Sequence, residues 1–407
     1  MLNYFTNKVI YKVDSMIKRN IHLAKLKGNY LFPEIHKRKL KFISDHPDAN
    51  VISLGIGDTT EPIPHSIVQT MSKEALNLGT LSGYTGYGPE QGIEKLRESI
   101  ASTLYHHLVH ASEVFVSDGA KCDLGRLQLL FGSNISVAIQ DPAYPVYVDG
   151  SIMHGVDTII YMPCTPENDF FPDLENTPRT DIIYFCSPNN PTGTAATKPQ
   201  LEKLVQFAKK NKSIIVFDSA YANFIQDPAY PKSIFEIEGA KEVAIELGSF
   251  SKIVGFTGVR LGWTIIPQEL TYDDGTPVKN DWQRLTSTIF NGASNIAQWG
   301  GIAALEAAGL KEIDQMTHYY LENARIIQSV LKQKGLEVYG GTHAPYLWVR
   351  YKNRSSWDVF QELLEKYHIV CTPGSGFGPS GDGFIRFTAF GHRDKIVLAV
   401  ERFQKIC

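Results

Sequence analysis

Four short apolar runs in this chain each stop abruptly at a polar cluster, and that repeat constrains the fold more than any other feature. Residues 137–139 lead into DPAYPVY (141–147), and residues 182–186 into SPNNPTG (187–193). Residues 214–217 lead into DSAY (218–221), and residues 243–247 into SFSKIVGFTGVRLG (249–262). A short apolar run closed by Gly, Pro, Asn or Asp reads as a strand buried on both faces, as in a parallel sheet. Helical patterns lie between the runs. PQLEKLVQFAKK (199–210) puts Leu201, Leu204, Val205 and Ala208 on one face with Pro at its start, and IEKLRESIASTL (93–104) has the same period. Strand–helix alternation across residues 64–300 therefore predicts a mostly parallel α/β sheet.

Past residue 300 the pattern changes. A long helical stretch (294–334) leads to a strand (346–351), a helix (356–367), a Gly-rich turn (373–383) and a strand (384–389). This order predicts a second, α+β domain, to which VISL (51–54) can add a strand. A chain of 407 residues is longer than a single core usually serves. The expected division is a large domain over 63–300 and a small one from 1–62 and 301–407, with residues 1–20 as an N-terminal extension.

Composition narrows the partners. The formal net charge is −3 with one fifth of residues charged, which argues against a nucleic-acid face. Cys122, Cys164, Cys186, Cys371 and Cys407 show no paired spacing and no CxxC, so they read as reduced thiols rather than metal ligands. No apolar stretch reaches membrane-spanning length, and residues 1–20 lack a signal peptide's apolar core. The expected location is the cytoplasm. An organelle stroma stays open, because Lys8, Lys12, Lys18 and Arg19 give the first residues a weakly basic character.

The polar clusters carry the chemistry. Lys252 sits between the hydroxyls of Ser249 and Ser251, with Arg260 eight residues on. A lysine that forms an imine with an aldehyde cofactor needs neighbours that hold the cofactor's phosphate, and hydroxyls with an arginine fork do so. This points to pyridoxal phosphate. Residues 118–121 (DGAK) lie between a strand candidate (114–116) and a helical run, so exposed amides there can bind the same anion. The plain alternative is an ordinary Asp or Ser cap, from Asp118 or Ser117. Asp218, at a strand end, suits a protonated pyridine nitrogen, and Tyr221 and Asn190 can reach the cofactor's phenolic oxygen; each is also a common turn residue. Tyr144, in a Pro-bounded corner, can stack on the cofactor or be a core tyrosine, and the residues do not separate the two.

Taken in order, SPNNPTG, DSAY, SFSKIVGFTGVRLG and FIRFTAFG (384–391) resemble the class I/II aminotransferases of pyridoxal-phosphate fold type I. The resemblance runs from about residue 29 to the C-terminus. It implies a large domain with a mostly parallel seven-stranded sheet flanked by helices, plus a smaller α+β domain. It also implies Lys252 as the cofactor lysine, Asp218 as the ring partner, Asn190 and Tyr221 as oxygen ligands, and Arg386 as the clamp for a substrate carboxylate. An arginine within FIRF needs an anion in any case, a structural salt bridge being the other possibility.

Five further stretches are similar to the LL-diaminopimelate aminotransferase family: GNYLFPEI (28–35), LGIGDTTEPIP (54–64), GYTGYGPEQG (83–92), GAKCDLGRLQ (119–128) and IFNGASNIAQ (289–298). That likeness implies amino transfer between LL-2,6-diaminopimelate and 2-oxoglutarate. Ala120, Lys121, Tyr144 and Tyr87 would join the cofactor contacts. Tyr30, Gly57, Lys121, Tyr144, Asn190, Asn291 and Arg386 would contact substrate, and Glu90 would meet its distal ammonium. Tyr87, Glu90 and Asn291 would be given across a homodimer interface. The competing readings are an aromatic or aspartate aminotransferase on the same scaffold, a fold-type I lyase, and a non-catalytic cofactor-binding regulator.

Overall fold

The computed structural model describes residues 17–26 and 31–405. Tyr30 and most of the expected N-terminal extension lie outside the described residues. After a two-residue strand β1 (Ile52–Ser53) come the strands of the main sheet: β2 (Val114–Ser117), β3 (Ser136–Asp141), β4 (Thr158–Pro163) and β5 (Ile182–Cys186). It continues with β6 (Ile214–Asp218), β7 (Ala244–Ser249) and β8 (Gly262–Ile265). The order across the sheet is β2-β8-β7-β6-β5-β3-β4. All neighbours are parallel except β8, which runs antiparallel to both β2 and β7. The expected mostly parallel seven-stranded sheet is present.

Alternation along the strands separates two cores. Ile183, Phe185, Ile215, Phe217 and Ala244 bury on one face. Tyr184, Cys186, Val216, Ile245 and Leu247 bury on the other, against Leu124, Leu127 and Tyr147. Because side chains alternate with period two, Cys186, Asp218 and Ser249 extend this second face to the carboxyl edge. The helix Lys198–Asn211 begins at Thr197, whose hydroxyl accepts from the Gln200 amide, and it buries Leu201, Leu204, Val205 and Ala208. Each of those leucines contributes about 2 kcal/mol by leaving water.

A third core surrounds the smaller sheet. This sheet has the order β12-β13-β10-β9, from β9 (Glu337–Gly340), β10 (Tyr346–Arg350), β12 (Thr372–Pro373) and β13 (Phe384–Thr388). The expected strand at 51–54 forms as β1, but it pairs in parallel with β11 (Ile369–Val370) rather than joining those four strands. The helical stretch expected as one piece over 294–334 is two helices, Asn295–Leu305 and Ala307–Gln333. Glu306 between them is extended (φ −80°, ψ 161°). The break has a packing cause. The first helix is buried nearly all round, whereas the second reaches from Ile313 in one core to Ala324, Ile327 and Leu331 in the third. Among the described residues no helix is long and apolar enough to cross a membrane.

Candidate active site

Parallel order brings the carboxyl ends of β5, β6 and β7 to one edge, and ligands of open α/β sheets sit at such edges. A cavity of about 360 Å³ opens there. Its walls include Gly57, Ala120, Lys121, Tyr144, Asn190, Asp218, Tyr221, Ser249, Ser251, Lys252, Arg260 and Arg386, so twelve of the residues singled out from sequence meet in one place.

One end is built for an anion. Ser249 pairs with Gly262 and Gly262 with Ser117, which carries the start of helix Ala120–Phe131 to the side of Ser249. A side chain on Gly262 would put its Cβ 2.8 Å from the Ala120 nitrogen, so only glycine permits this approach. The helix start carries no side-chain cap. Asp118 does not serve as one: its carboxylate is paired with Arg126 at 2.7 Å. Antiparallel β8 starts at this same edge, which sets Arg260 just ahead of it. Arg260 has left-handed backbone (φ +69°) and donates to the Ser251 hydroxyl (3.3 Å) and the Thr257 carbonyl (3.1 Å). A non-glycine residue in that region costs of order 1 kcal/mol, which is the mark of a conformation kept for the direction it gives the side chain.

Across the cavity, Asp218 accepts from the Tyr147 hydroxyl (2.7 Å) and the Ala220 amide (3.1 Å). Burial pushes its carboxyl above the usual range, opposed by those two donors. No lysine, arginine or histidine forms an ion pair with it among the described residues. Lys252, in the short helix Phe250–Ile253, has its amine held down to about 8 by burial, with the Asp58 carboxylate acting the other way. The amine donates to the Gly57 carbonyl. Tyr221 and Tyr346 share a hydrogen bond between hydroxyls (2.7 Å). The Lys121 ammonium lies 5.6 Å from the Tyr144 ring centroid.

The third wall holds Arg386, 1 % exposed at the middle of β13. Its guanidinium donates to Asn190 Oδ1 (2.6 Å) and the Gly55 carbonyl (2.5 Å), and packs over the Tyr346 ring at 4.6 Å. Among the described residues its Nε has no partner, and burial lowers the guanidinium's proton affinity. No carboxylate pairs with it among the described residues, so the structural salt bridge is not found. A buried cation without an anion is costly and fits a site that an anionic ligand completes.

These features suit pyridoxal phosphate: an uncapped helix start with two hydroxyls and an arginine for the phosphate, an unpaired carboxylate for the ring nitrogen, and a depressed lysine amine for the aldehyde. Tyr87, Glu90 and Asn291 behave differently. All three are exposed, Tyr87 at 84 %, and none lines the cavity of its own chain. They form a separate surface, where Ser287 donates to Glu90 and Gly292 packs beside Pro89 and Glu90. Sequence reasoning missed Tyr147, Tyr346, Phe32 and Asp58, although each borders the cavity. Tyr147 was within reach, being one helical turn after Tyr144. Tyr346 carried no local signal, since its neighbours Gly57, Tyr221 and Arg386 are remote in sequence.

Comparison with known proteins agrees with this geometry. The family described as aminotransferase class I and II matches residues 49–403. The chain is 56 % identical over 411 residues to a chloroplastic LL-diaminopimelate aminotransferase of Arabidopsis thaliana, covering 98 % of this chain and 88 % of that one. It is 54 % identical over 400 residues to an LL-diaminopimelate aminotransferase of Protochlamydia amoebophila, covering 96 % and 97 %. The solved L,L-diaminopimelate aminotransferase of Chlamydomonas reinhardtii superposes with a TM-score of 0.93 at 55 % identity, over 97 % of this chain and 99 % of that one. The chain belongs to the class I and II aminotransferases.

Proposed function

We propose that this enzyme moves an amino group reversibly between LL-2,6-diaminopimelate and 2-oxoglutarate, giving tetrahydrodipicolinate and glutamate, as a step of lysine biosynthesis. The observation that carries the reaction is Arg386, a buried guanidinium with no carboxylate partner among the described residues, on the cavity that holds the depressed amine of Lys252. The substrate rests on the extent of likeness to LL-diaminopimelate aminotransferases along nearly the whole chain.

Bound pyridoxal 5′-phosphate supplies an electron sink that acidifies the substrate's α-carbon. Ser249, Ser251, Arg260 and the Ala120 amide hold its phosphate, Asp218 its ring nitrogen, Asn190 and Tyr221 its phenolic oxygen, and Tyr144 its face. Arg386 holds the substrate α-carboxylate and so fixes the α-hydrogen relative to Lys252. Lys252 Nζ, poised near neutral pH, takes that proton and later returns it. Lys121 and the Gly57 backbone complete the substrate wall.

Tyr87, Glu90 and Asn291 serve the cavity of a second copy in a homodimer, Glu90 meeting the distal ammonium. Their exposure on a chain whose own cavity they do not line supports this assignment. The compartment is the cytoplasm or, as in the plant relatives named chloroplastic, an organelle stroma.

The test is the visible absorption of the cofactor-loaded enzyme after adding LL-diaminopimelate, meso-diaminopimelate, aspartate or tyrosine, each without keto acid. Loss of the band with the LL isomer is the expected result. Loss with aspartate or tyrosine instead keeps the aminotransferase and overturns the substrate.

A further inference from the structure

The geometry points to Tyr147 as a positioning residue for the cofactor, holding the Asp218 carboxylate in place and in its charged form. This rests on the cofactor reading above, since Asp218 matters here only as the partner of a pyridine nitrogen.

Tyr147 lies in helix Val146–Met153, buried to 2 % exposure, and its ring is stacked on Tyr184 (centroids 5.5 Å apart, 16° between planes). Its hydroxyl ends on Asp218 Oδ2 at 2.7 Å, with the Cys186 thiol also beside it. The other carboxylate oxygen is taken by the Ala220 amide two residues on, a contact that the turn itself supplies. Tyr147 is therefore the side chain that orients Asp218 from outside its own loop. It also spaces the site. Tyr144 stands one turn earlier, so a single helix start sets both the ring-stacking candidate and the donor behind the carboxylate.

The electrostatics give the contact weight. Among titratable neighbours, Tyr147 faces Asp218 from the helix, Cys186 from β5 and Lys252 from across the cavity. Burial holds both Tyr147 and Cys186 neutral by pushing their proton affinities up, so neither adds a charge. A hydrogen bond donated to a charged acceptor is about twice as strong as one between neutral groups. The Tyr147 hydroxyl thus favours the carboxylate over the carboxylic acid, and only the carboxylate keeps a pyridine nitrogen protonated. The sign follows. Without this donor, Asp218 takes up a proton at higher pH, and the ion pair with the ring is lost at higher pH.

Tyr147→Phe removes the hydroxyl and leaves the ring stacked. Pyridoxal phosphate is titrated into cofactor-stripped wild type and variant across a pH series, with binding followed by visible absorption. The expected result is affinity weakened about ten- to a hundredfold, the equivalent of one hydrogen bond to a charged group, with the acid limb of binding moved to higher pH. In the loaded enzymes kcat falls while KM for the amino donor stays nearly constant. In an Asp218→Asn background the same substitution has little further effect on affinity. A lower melting temperature with an unmoved acid limb would overturn the inference, leaving Tyr147 as packing only. Additive losses in the double variant would overturn it as well. Failure of the wild type itself to bind pyridoxal phosphate would overturn the proposed function, and this inference with it.

Discussion

Replacing Arg386 by methionine separates a substrate clamp from a structural ion, because the two roles predict different changes in stability. The guanidinium is buried and pairs with no carboxylate among the described residues. Its donors meet three acceptors, Asn190 Oδ1, the Gly55 carbonyl and, more weakly, the Thr372 hydroxyl at 3.4 Å. The Gly55 carbonyl keeps a second donor, the Thr372 hydroxyl at 2.6 Å, so Arg386→Met leaves only Asn190 Oδ1 bare. That orphan costs about 1–3 kcal/mol. Removing a buried, unpaired charge for an apolar chain of similar length offsets it, such exchanges being neutral or stabilising by about 1–4 kcal/mol. The melting temperature without ligand should therefore hardly move. The effect on catalysis is large. Two charge-assisted hydrogen bonds to a carboxylate, at about 1.5–3 kcal/mol each, correspond to a loss of roughly 10²–10⁴ in kcat/KM. Glutarate, a dicarboxylate with no group to transfer, supplies the second arm. At a hundred times its Kd it should stabilise the wild type by about 2.7 kcal/mol, and the variant not at all. A variant that loses several degrees without ligand, yet keeps its KM for every amino donor and its response to glutarate, would refute the reasoning.

Lys252→Ala should abolish turnover and leave phosphate-anchored cofactor binding detectable by equilibrium dialysis; appreciable residual transamination would remove Lys252 as the proton carrier. Glu90→Gln should impair diaminopimelate use while sparing glutamate, because glutamate has no distal ammonium, and equal losses in kcat/KM for both would reject that role. Capture of pyridoxal phosphate by the stripped enzyme should rise with pH and level off above about 8, where the buried Lys252 amine becomes neutral; stopped-flow rates still climbing towards 10.5, the amine's ordinary value, would contradict the burial argument. Glu246, buried and raised to about 7, adds stability fully present below its ordinary 4.5 and lost as pH rises through about 7. Thermal midpoints of Glu246→Gln should lack that component between pH 4.5 and 7, and an unchanged slope would show that the group titrates normally.

Much of the cavity was readable because its parts are local. Ser249, Ser251, Lys252 and Arg260 fall within twelve residues, and the turn of one short helix with the start of β8 is enough to gather them. The strand ends at 186, 218 and 249 were legible for a related reason: a strand buried on both faces is mostly apolar until it leaves the sheet, Glu246 within β7 being an exception, so the polar cluster that follows marks the edge. The break at Glu306 was not legible, since apolar residues continue at helical spacing on both sides and only competition between two cores bends the chain there.

By itself, then, the sequence determined the strand edges and the cluster of Ser249, Ser251, Lys252 and Arg260, which depend on contacts within a turn or two. Tertiary structure alone decided the long-range pairs: Tyr147 with Asp218, Tyr221 with Tyr346, and Arg386 with Asn190, separated by 71, 125 and 196 residues. It also decided that β8 runs antiparallel and delivers Arg260 to the right edge, and that Glu90 lies outside its own cavity. Local propensity carries no information on strand order, and strand order sets which distant side chains become neighbours.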